Sequence, residues 1–217
     1  MSIKSGSTSD ATSSFTVEVV CSGRGLVELN EAWRFYTVSA PSGTGKSTMC
    51  KLLRASTPGL YHAVSRTTRA LRDGETDDDY IVVTDAEMDA LADRFISGDV
   101  YNENRYHDLW PPDWVDLALF EVTLTAARHI REQWPNTVNV WLDPVGDDED
   151  QQIEWLGSRL DGRESETPES KQRRLAAARC ELAVVNALDQ STIVRRVNAD
   201  SAETAKWLHN MIMATAA

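Results

Sequence analysis

The chain has 217 residues, 41% of them hydrophobic, which suits either one compact domain or one core domain with small mobile lobes. No apolar run reaches the roughly 18 residues of a membrane span, and a net charge of −12 argues against nonspecific binding to nucleic acid. The widely spaced Cys21, Cys50 and Cys180 form neither a zinc pattern nor a disulfide framework, so we expect a reducing, cytoplasmic setting.

The beginning of the chain differs in composition from the rest. Its first 14 residues are rich in Ser and Thr and lack the apolar stretch of a secretory signal. We interpret residues 1–33 as a flexible N-terminal extension, with a transit peptide as the alternative, and residues 34–217 as the folded domain. Acidic runs at residues 77–79 and 147–150 indicate either an ordinary solvated surface or adaptation to a salty cytoplasm.

Short apolar stretches alternate with helical patterns along the folded part. The predicted strands are residues 35–39, 61–65, 117–122, 138–142 and 192–198. The predicted helices are residues 46–55, 85–95, 123–134, 147–161, 168–188 and 201–213. Thr84 and Glu87 form a capping box at the start of the second helix. This alternation predicts an α/β fold of three layers, a parallel sheet flanked by helices on both faces.

A glycine-rich loop follows the first predicted strand. Its sequence is Ala40-Pro41-Ser42-Gly43-Thr44-Gly45-Lys46-Ser47, which fits the phosphate-loop pattern G-x-x-x-x-G-K-[ST] apart from Ala at the first position. Glycines let backbone N–H groups turn around an anion, and the helix that follows adds its positive end. The predicted ATP-binding residues here are Ser42, Gly43, Thr44, Gly45, Lys46, Ser47 and Thr48. Lys46 is expected to reach the β- and γ-phosphates and Ser47 to bind Mg²⁺.

A second motif lies downstream of the phosphate loop. It reads Ser65-Arg66-Thr67-Thr68-Arg69-Ala70-Leu71-Arg72-Asp73-Gly74-Glu75 and is followed by Asp79-Tyr80. This resembles the guanylate kinase signature, S-x-T-T-R-x-x-R-x-G-E, then an acidic stretch, then D-Y. Arg69 and Arg72 are planar donors suited to a phosphate dianion. The resemblance runs from about residue 34 to the C-terminus and implies the P-loop kinase fold with an inserted acceptor-binding lobe at about residues 66–120.

The resemblance also implies a lid at about residues 159–170 that closes over the phosphates. Arg159-Leu160-x-Gly162-Arg163, followed by Arg173-Arg174-Leu175, matches the lid segment of the family. Arg159, Arg163 and Arg174 are therefore candidate catalytic residues beside Lys46. Val197-Asn198-Ala199-Asp200 matches the family's V-N-D-D turn against the adenine of ATP, which makes Asn198 a candidate ATP-binding residue.

The acceptor side departs from the family pattern. The acceptor-binding residues implied by the resemblance are Ser65, Arg69, Arg72, Tyr80, Ser97, Tyr106, Asp108 and Glu121. At Ser97 the family has the Glu that reads guanine, at the end of a helix. At Asp108 it has Ser or Thr, within N-x-Y-G-[ST], which reads here Asn104-Arg105-Tyr106-His107-Asp108. The family's D-x-D strand end is Glu121-Val122-Thr123, and Glu121 either assists the metal, holds an Arg or has a structural partner.

These departures leave the acceptor open. GMP or dGMP is one reading, with Asp99 or Glu103 replacing the missing Glu, and another nucleoside monophosphate is the second, since Asp108 could accept from an exocyclic amine such as adenine N6. A kinase of a phosphorylated sugar such as ribose 1,5-bisphosphate, or a non-catalytic guanylate-kinase-like module, are the alternatives. The first reading predicts ATP and Mg²⁺ as cofactors, a nucleoside monophosphate as partner, and neither nucleic acid nor membrane.

Overall fold

The computed structural model describes residues 33–101, 103–112, 114–162 and 167–216. The strands, in chain order, are β1 (Arg34–Ser39), β2 (Tyr61–Ala63), β3 (Ser65–Thr67), β4 (Tyr80–Val82), β5 (Phe95–Tyr101), β6 (Asn104–Leu109), β7 (Leu117–Glu121), β8 (Val138–Asp143) and β9 (Val194–Val197). The α-helices are α1 (Lys46–Ser56), α2 (Asp85–Ala90), α3 (Leu124–Gln133), α4 (Glu149–Asp161), α5 (Pro168–Ala187) and α6 (Ser201–Ala216). The expectation for residues 1–33 falls almost entirely outside the described residues.

The main sheet has the strand order β2-β7-β1-β8-β9, and its strand pairs are all parallel. Side chains alternate between its faces. On one face Tyr36 and Val38 pack with buried residues of α1 and α6. On the other, Phe35 and Phe120 pack with α3, and Trp141 packs with α4 and α5. Helices on both faces confirm the predicted three-layer α/β fold.

A second, four-stranded sheet has the order β4-β3-β6-β5 and forms a lobe between β2 and β7. Its edge strand β5 pairs antiparallel with β6, with Ser97 opposite Asp108, Gly98 opposite His107 and Asp99 opposite Tyr106. One side of the lobe packs its own small core of Met88, Phe95 and Leu109. Its other side carries polar residues.

The local signals in the sequence give correct helix starts and one wrong helix end. The capping box of Thr84 and Glu87 is present, and it starts α2. The helix predicted to continue to residue 95 ends at Ala90, and after a 3₁₀ turn the chain enters β5 at Phe95. Ser97 therefore lies in a strand and not at a helix end, because pairing with β6 overrides the helical pattern.

Ion pairs join the lobe to the core. Asp79 pairs with Lys51 of α1 at 2.6 Å, and Asp78 pairs with Arg54 at 3.6 Å. The acidic run at residues 77–79 is therefore more than solvated charge, since Asp79 is nearly buried. Cys50 and Cys180 are free. Among the described residues, no helix combines the length and apolar character that crossing a membrane requires.

Candidate active site

The phosphate loop lies at the carboxyl end of β1 and leads into α1. Gly43 and Gly45 have φ angles of +99° and +94°, a left-handed conformation that residues with a side chain rarely adopt. Helix α1 begins at Lys46 and presents its free N–H groups at the loop. The sequence pattern, the strand before it and the helix after it therefore combine into an anion-binding loop.

Three side chains meet at the start of α1. The Glu121 carboxylate, from the carboxyl end of the neighbouring strand β7, accepts a hydrogen bond from the Ser47 hydroxyl at 2.5 Å. Lys46 Nζ lies 3.8 Å from Glu121 and donates to the carbonyl of Val122 at 3.3 Å. The family resemblance implies that Glu121 binds the acceptor, but its carboxylate lies beside the phosphate loop, as the metal-binding alternative expects.

The Ser47 and Glu121 oxygens are the hard ligands that Mg²⁺ prefers, and Mg²⁺ commonly takes only one or two carboxylates beside phosphates and waters. No cluster of three or more His, Cys, Asp or Glu side chains suited to a metal occurs in the described part of the chain. The residues therefore fit a Mg²⁺ that arrives with the nucleotide and not a metal held by the protein alone.

Two of the predicted arginines contact the phosphate loop. Arg159 of α4 donates to the carbonyl of Gly43 at 2.8 Å and lies over the ring of Trp155 at 4.8 Å. Arg174 of α5 donates to the Ser42 hydroxyl at 2.7 Å. Arg163 lies outside the described residues. Helices α4 and α5 thus bring cations to the loop from two directions.

Asn198 follows β9 and supports the phosphate loop from the other side. Its side-chain amide donates to the carbonyl of Thr44 at 2.8 Å, and its backbone N–H donates to the carbonyl of Asp143 at 3.0 Å. A β-carbon on Gly45 would lie 3.1 Å from Asn198, so this glycine permits a close approach. Thr48 lies exposed on the first turn of α1.

On the lobe, the residues predicted for the acceptor phosphate form one cluster. Arg69 donates to the Tyr106 hydroxyl at 3.1 Å and to Glu75 at 2.8 Å, and it lies over the ring of Tyr80 at 5.2 Å. The exposed Arg72 lies 3.8 Å from Glu75. Burial acts to lower the pKa of Arg69, but Glu75 and Tyr106 outweigh it and raise that pKa. Glu75 holds both arginines, a role that the sequence motif did not reveal.

The polar face of the lobe continues into a buried hydroxyl–carboxylate cluster. Asp108 accepts from Ser65 at 2.7 Å and from Ser97 at 2.9 Å, one hydroxyl on each carboxylate oxygen. Burial raises the pKa of Asp108 to about 6, although both hydrogen bonds oppose the shift. Ser65, Tyr80, Ser47 and Glu121 line a cavity between the lobe and α1, which connects this cluster with the phosphate loop.

Two further carboxylates lie within electrostatic reach of Lys46. Asp99 of β5 is 7% exposed and accepts from the Thr123 hydroxyl, while its Oδ1 has no hydrogen-bond partner among the described residues. Burial raises the pKa of Asp99 to about 6 and that of Glu181, on α5, to about 7. The contact between Asp99 and Thr123 crosses from lobe to core, and no sequence spacing could have shown it.

The reverse face of β5–β6 carries His107, which packs on Phe95 with ring centroids 4.3 Å apart. A β-carbon on Gly98, opposite it, would collide with the His107 ring. Burial lowers the pKa of His107 to about 4, so the ring is neutral at physiological pH. Gly98 and His107 are therefore matched in size across the strand pair.

Comparison with known proteins places this geometry among nucleotide kinases. The chain is 39% identical over 168 residues to a guanylate kinase of Thermobifida fusca, covering 74% of this chain and 83% of that protein. It is 34% identical over 202 residues to one of Mycobacterium leprae, covering 87% and 92%. The crystal structure of guanylate kinase from Anaplasma phagocytophilum superposes with a TM-score of 0.62 at 24% identity, covering 84% and 86%, a likeness of fold. No family profile matches the chain.

Proposed function

The chain belongs to the guanylate kinase family, and we propose that it transfers the γ-phosphate of ATP to GMP or dGMP. One observation carries this proposal: a single cavity is lined both by Ser47 of the phosphate loop and by Tyr80, whose ring lies under Arg69 of the acceptor cluster. An enzyme that transfers phosphate between two phosphorylated substrates needs two anion sites, whereas an ATPase needs only the one that binds ATP.

On the ATP side, Lys46 would bind the β- and γ-phosphates, with the loop glycines giving backbone donors around them. Arg159 and Arg174 already contact the loop and would turn toward the transferred phosphoryl group, where they stabilise the charge that develops in the transition state. Ser47 and Glu121 would hold Mg²⁺, which supplies charge neutralisation of the phosphates when bound.

On the acceptor side, Arg69, Arg72, Tyr80 and Tyr106 would bind the phosphate of the acceptor, and the Ser65, Ser97 and Asp108 cluster would face its base. An acceptor phosphate is already anionic, so no general base is needed to activate it. The residues then act by alignment and by charge stabilisation, in direct in-line transfer without a covalent enzyme intermediate.

The other functions considered from the sequence are not favoured. A non-catalytic module has no use for Lys46 and Ser47 in a phosphate loop, both of which are in place. A kinase of a sugar bisphosphate has no need of a buried carboxylate cluster beyond the phosphate-binding residues. The relatives named above, at 39% and 34% identity, are both guanylate kinases.

A panel of acceptors tests the proposal. Purified protein with ATP and Mg²⁺ should release ADP with GMP and dGMP, and AMP should be poorer by about 100-fold or more in kcat/KM, because the buried carboxylates would face its unprotonated N1. Chelating the metal with EDTA should abolish transfer. Preference for ribose 1,5-bisphosphate, or ATP binding without transfer to any acceptor, would overturn the proposal.

A further inference from the structure

Two hydroxyl–carboxylate contacts in the site share one feature. Ser97 donates to Asp108, and Thr123 donates to Asp99. In the family pattern described above, positions 97 and 123 are themselves the acidic ones. At each of these two positions the chain has a hydroxyl residue in place of the acid. That hydroxyl donates to a carboxylate from a different strand, so a carboxylate still lies close to the position.

The neighbouring pair on β5 and β6 also departs from the family pattern. The family has Gly followed by Ser or Thr at positions 107 and 108, and this chain has His107 and Asp108. The glycine and the hydroxyl stand directly opposite, as Gly98 and Ser97. His107 fills the space in which a β-carbon at position 98 would lie. The glycine and the hydroxyl that the family has on β6 thus stand on β5 in this chain, while β6 carries His107 and the carboxylate of Asp108.

Both relocated carboxylates lie on the same face of the lobe. Ser97 and Asp99 are two residues apart on β5, and their partners on β6 are Asp108 and Tyr106. Tyr106 bonds Arg69 of the phosphate-binding cluster, so this face is the one that meets the acceptor. Thr123, which holds Asp99, follows β7 near Glu121 and the phosphate loop.

The polar side chains on this face offer a ligand mainly hydrogen-bond acceptors. The protons of Ser65, Ser97 and Thr123 are committed to the carboxylates, so these hydroxyls offer only lone pairs to a ligand. Asp99 Oδ1 is buried without a partner in the described part of the chain, and such a group is costly unless a ligand supplies a donor. A base that fits must present N–H groups. Guanine presents N1–H and the N2 amine, hypoxanthine lacks the amine, and adenine has an unprotonated N1.

We propose that Asp99 and Asp108 together read the donor edge of the acceptor's base, taking over from the carboxylates that the family has at positions 97 and 123. This rests on the proposed function. The two aspartates are then the residues that distinguish guanine from bases without the N2 amine.

The test compares GMP with IMP, which lacks only that amine. In Asp99→Asn and Asp108→Asn, kcat/KM for GMP should fall by about 10- to 100-fold, because an amide places a donor where the base also donates. With IMP the fall should be smaller, so the GMP/IMP ratio should shrink. Affinity for ATP, measured by titration without acceptor, should stay as in the wild type. Asp93→Asn removes an exposed charge from the same lobe and should change nothing.

An exchange variant covers the case in which an asparagine variant does not fold. Asp108→Ser should lose GMP selectivity, and adding Ser97→Glu should restore at least about 10-fold of the lost kcat/KM by returning a carboxylate to the pocket. Asparagine variants that keep the wild-type GMP/IMP ratio, or a double variant no better than Asp108→Ser, would refute the role of the aspartates. A wild type that phosphorylates no nucleoside monophosphate would instead refute the proposed function itself.

Discussion

The phosphate loop and the acceptor lobe differ in how their working residues are brought together. In the loop, Gly43, Gly45, Lys46 and Ser47 are neighbours in the chain, and local backbone geometry places them. In the lobe, Ser97 meets Asp108 across a strand pair, and Asp99 meets Thr123 on another element. A site built from one continuous loop changes as a unit, whereas one assembled across strands can take the same chemical group from a different strand.

This comparison predicts the largest loss for Lys46→Ala. The side chain faces Glu121 and the phosphate loop and not the core, so the fold should survive. Transfer should fall by about 10³-fold or more with every acceptor, since a donor to the transferred phosphate is removed. Steady-state rates with GMP and IMP, beside a melting curve, check this. Rates within threefold of the wild type would contradict the assignment of Lys46.

A smaller and acceptor-specific loss is expected for Arg69→Lys. Lysine keeps the charge but cannot contact Tyr106, Glu75 and a phosphate with one planar group. We expect kcat/KM for GMP to fall about 30- to 100-fold, with GMP and IMP affected alike because both carry the same phosphate. Affinity for ATP should not change. Loss confined to one base would show that Arg69 acts on the base side instead.

The third effect is on stability and depends on pH. The folded protein holds a proton on Asp108 between its ordinary pKa and the raised value of about 6, while the unfolded chain releases it. Stability from this group is therefore present at low pH and is lost as the pH rises through about 6. Asp108→Asn removes this pH dependence of stability. The free energy of unfolding of the variant, relative to that of the wild type, should therefore rise by about 2–3 kcal/mol from pH 4 to pH 8.

Denaturant unfolding of the ligand-free proteins at both pH values measures that difference. Asp93→Asn, which changes an exposed carboxylate on the same lobe, serves as the control and should show no comparable gain. An Asp108→Asn variant whose stability relative to the wild type is the same at pH 4 and pH 8 would mean that Asp108 is not desolvated in solution.

The smallest effect is expected at the matched pair on the reverse face. Gly98→Ala places a β-carbon against the His107 ring and should destabilise the protein by about 1–3 kcal/mol through overpacking. Adding His107→Gly should recover most of this loss, since it empties the same space. Thermal melting of the three variants checks the coupling. Equal losses in Gly98→Ala with and without His107→Gly would contradict the close packing.

The same difference sets what the sequence could predict. The loop, the parallel sheet and the cap at Thr84 follow from contiguous patterns. Strand β5 could not be predicted from the sequence, because Ser97, Gly98 and Asp99 have poor strand propensity and follow a capped helix. Asp99 and Thr123 are 24 positions apart and lie on different elements, so their hydrogen bond can be found only from the structure.

The short contact between Ser97 and Asp108 has a consequence for the ancestry of the site. A lineage that moved the carboxylate from position 97 to position 108 one mutation at a time passed through a protein with either no acid there or two. Two acids at these positions would stand within hydrogen-bond reach, as the present pair does at 2.9 Å, and would share one proton, because both cannot ionise side by side. A protein with acids at both positions would keep one charge on this pair at neutral pH, the same charge that the pair carries with a single acid. Positions 97 and 108 are therefore coupled through one shared charge, and a substitution at either one changes which side chain the other can hold.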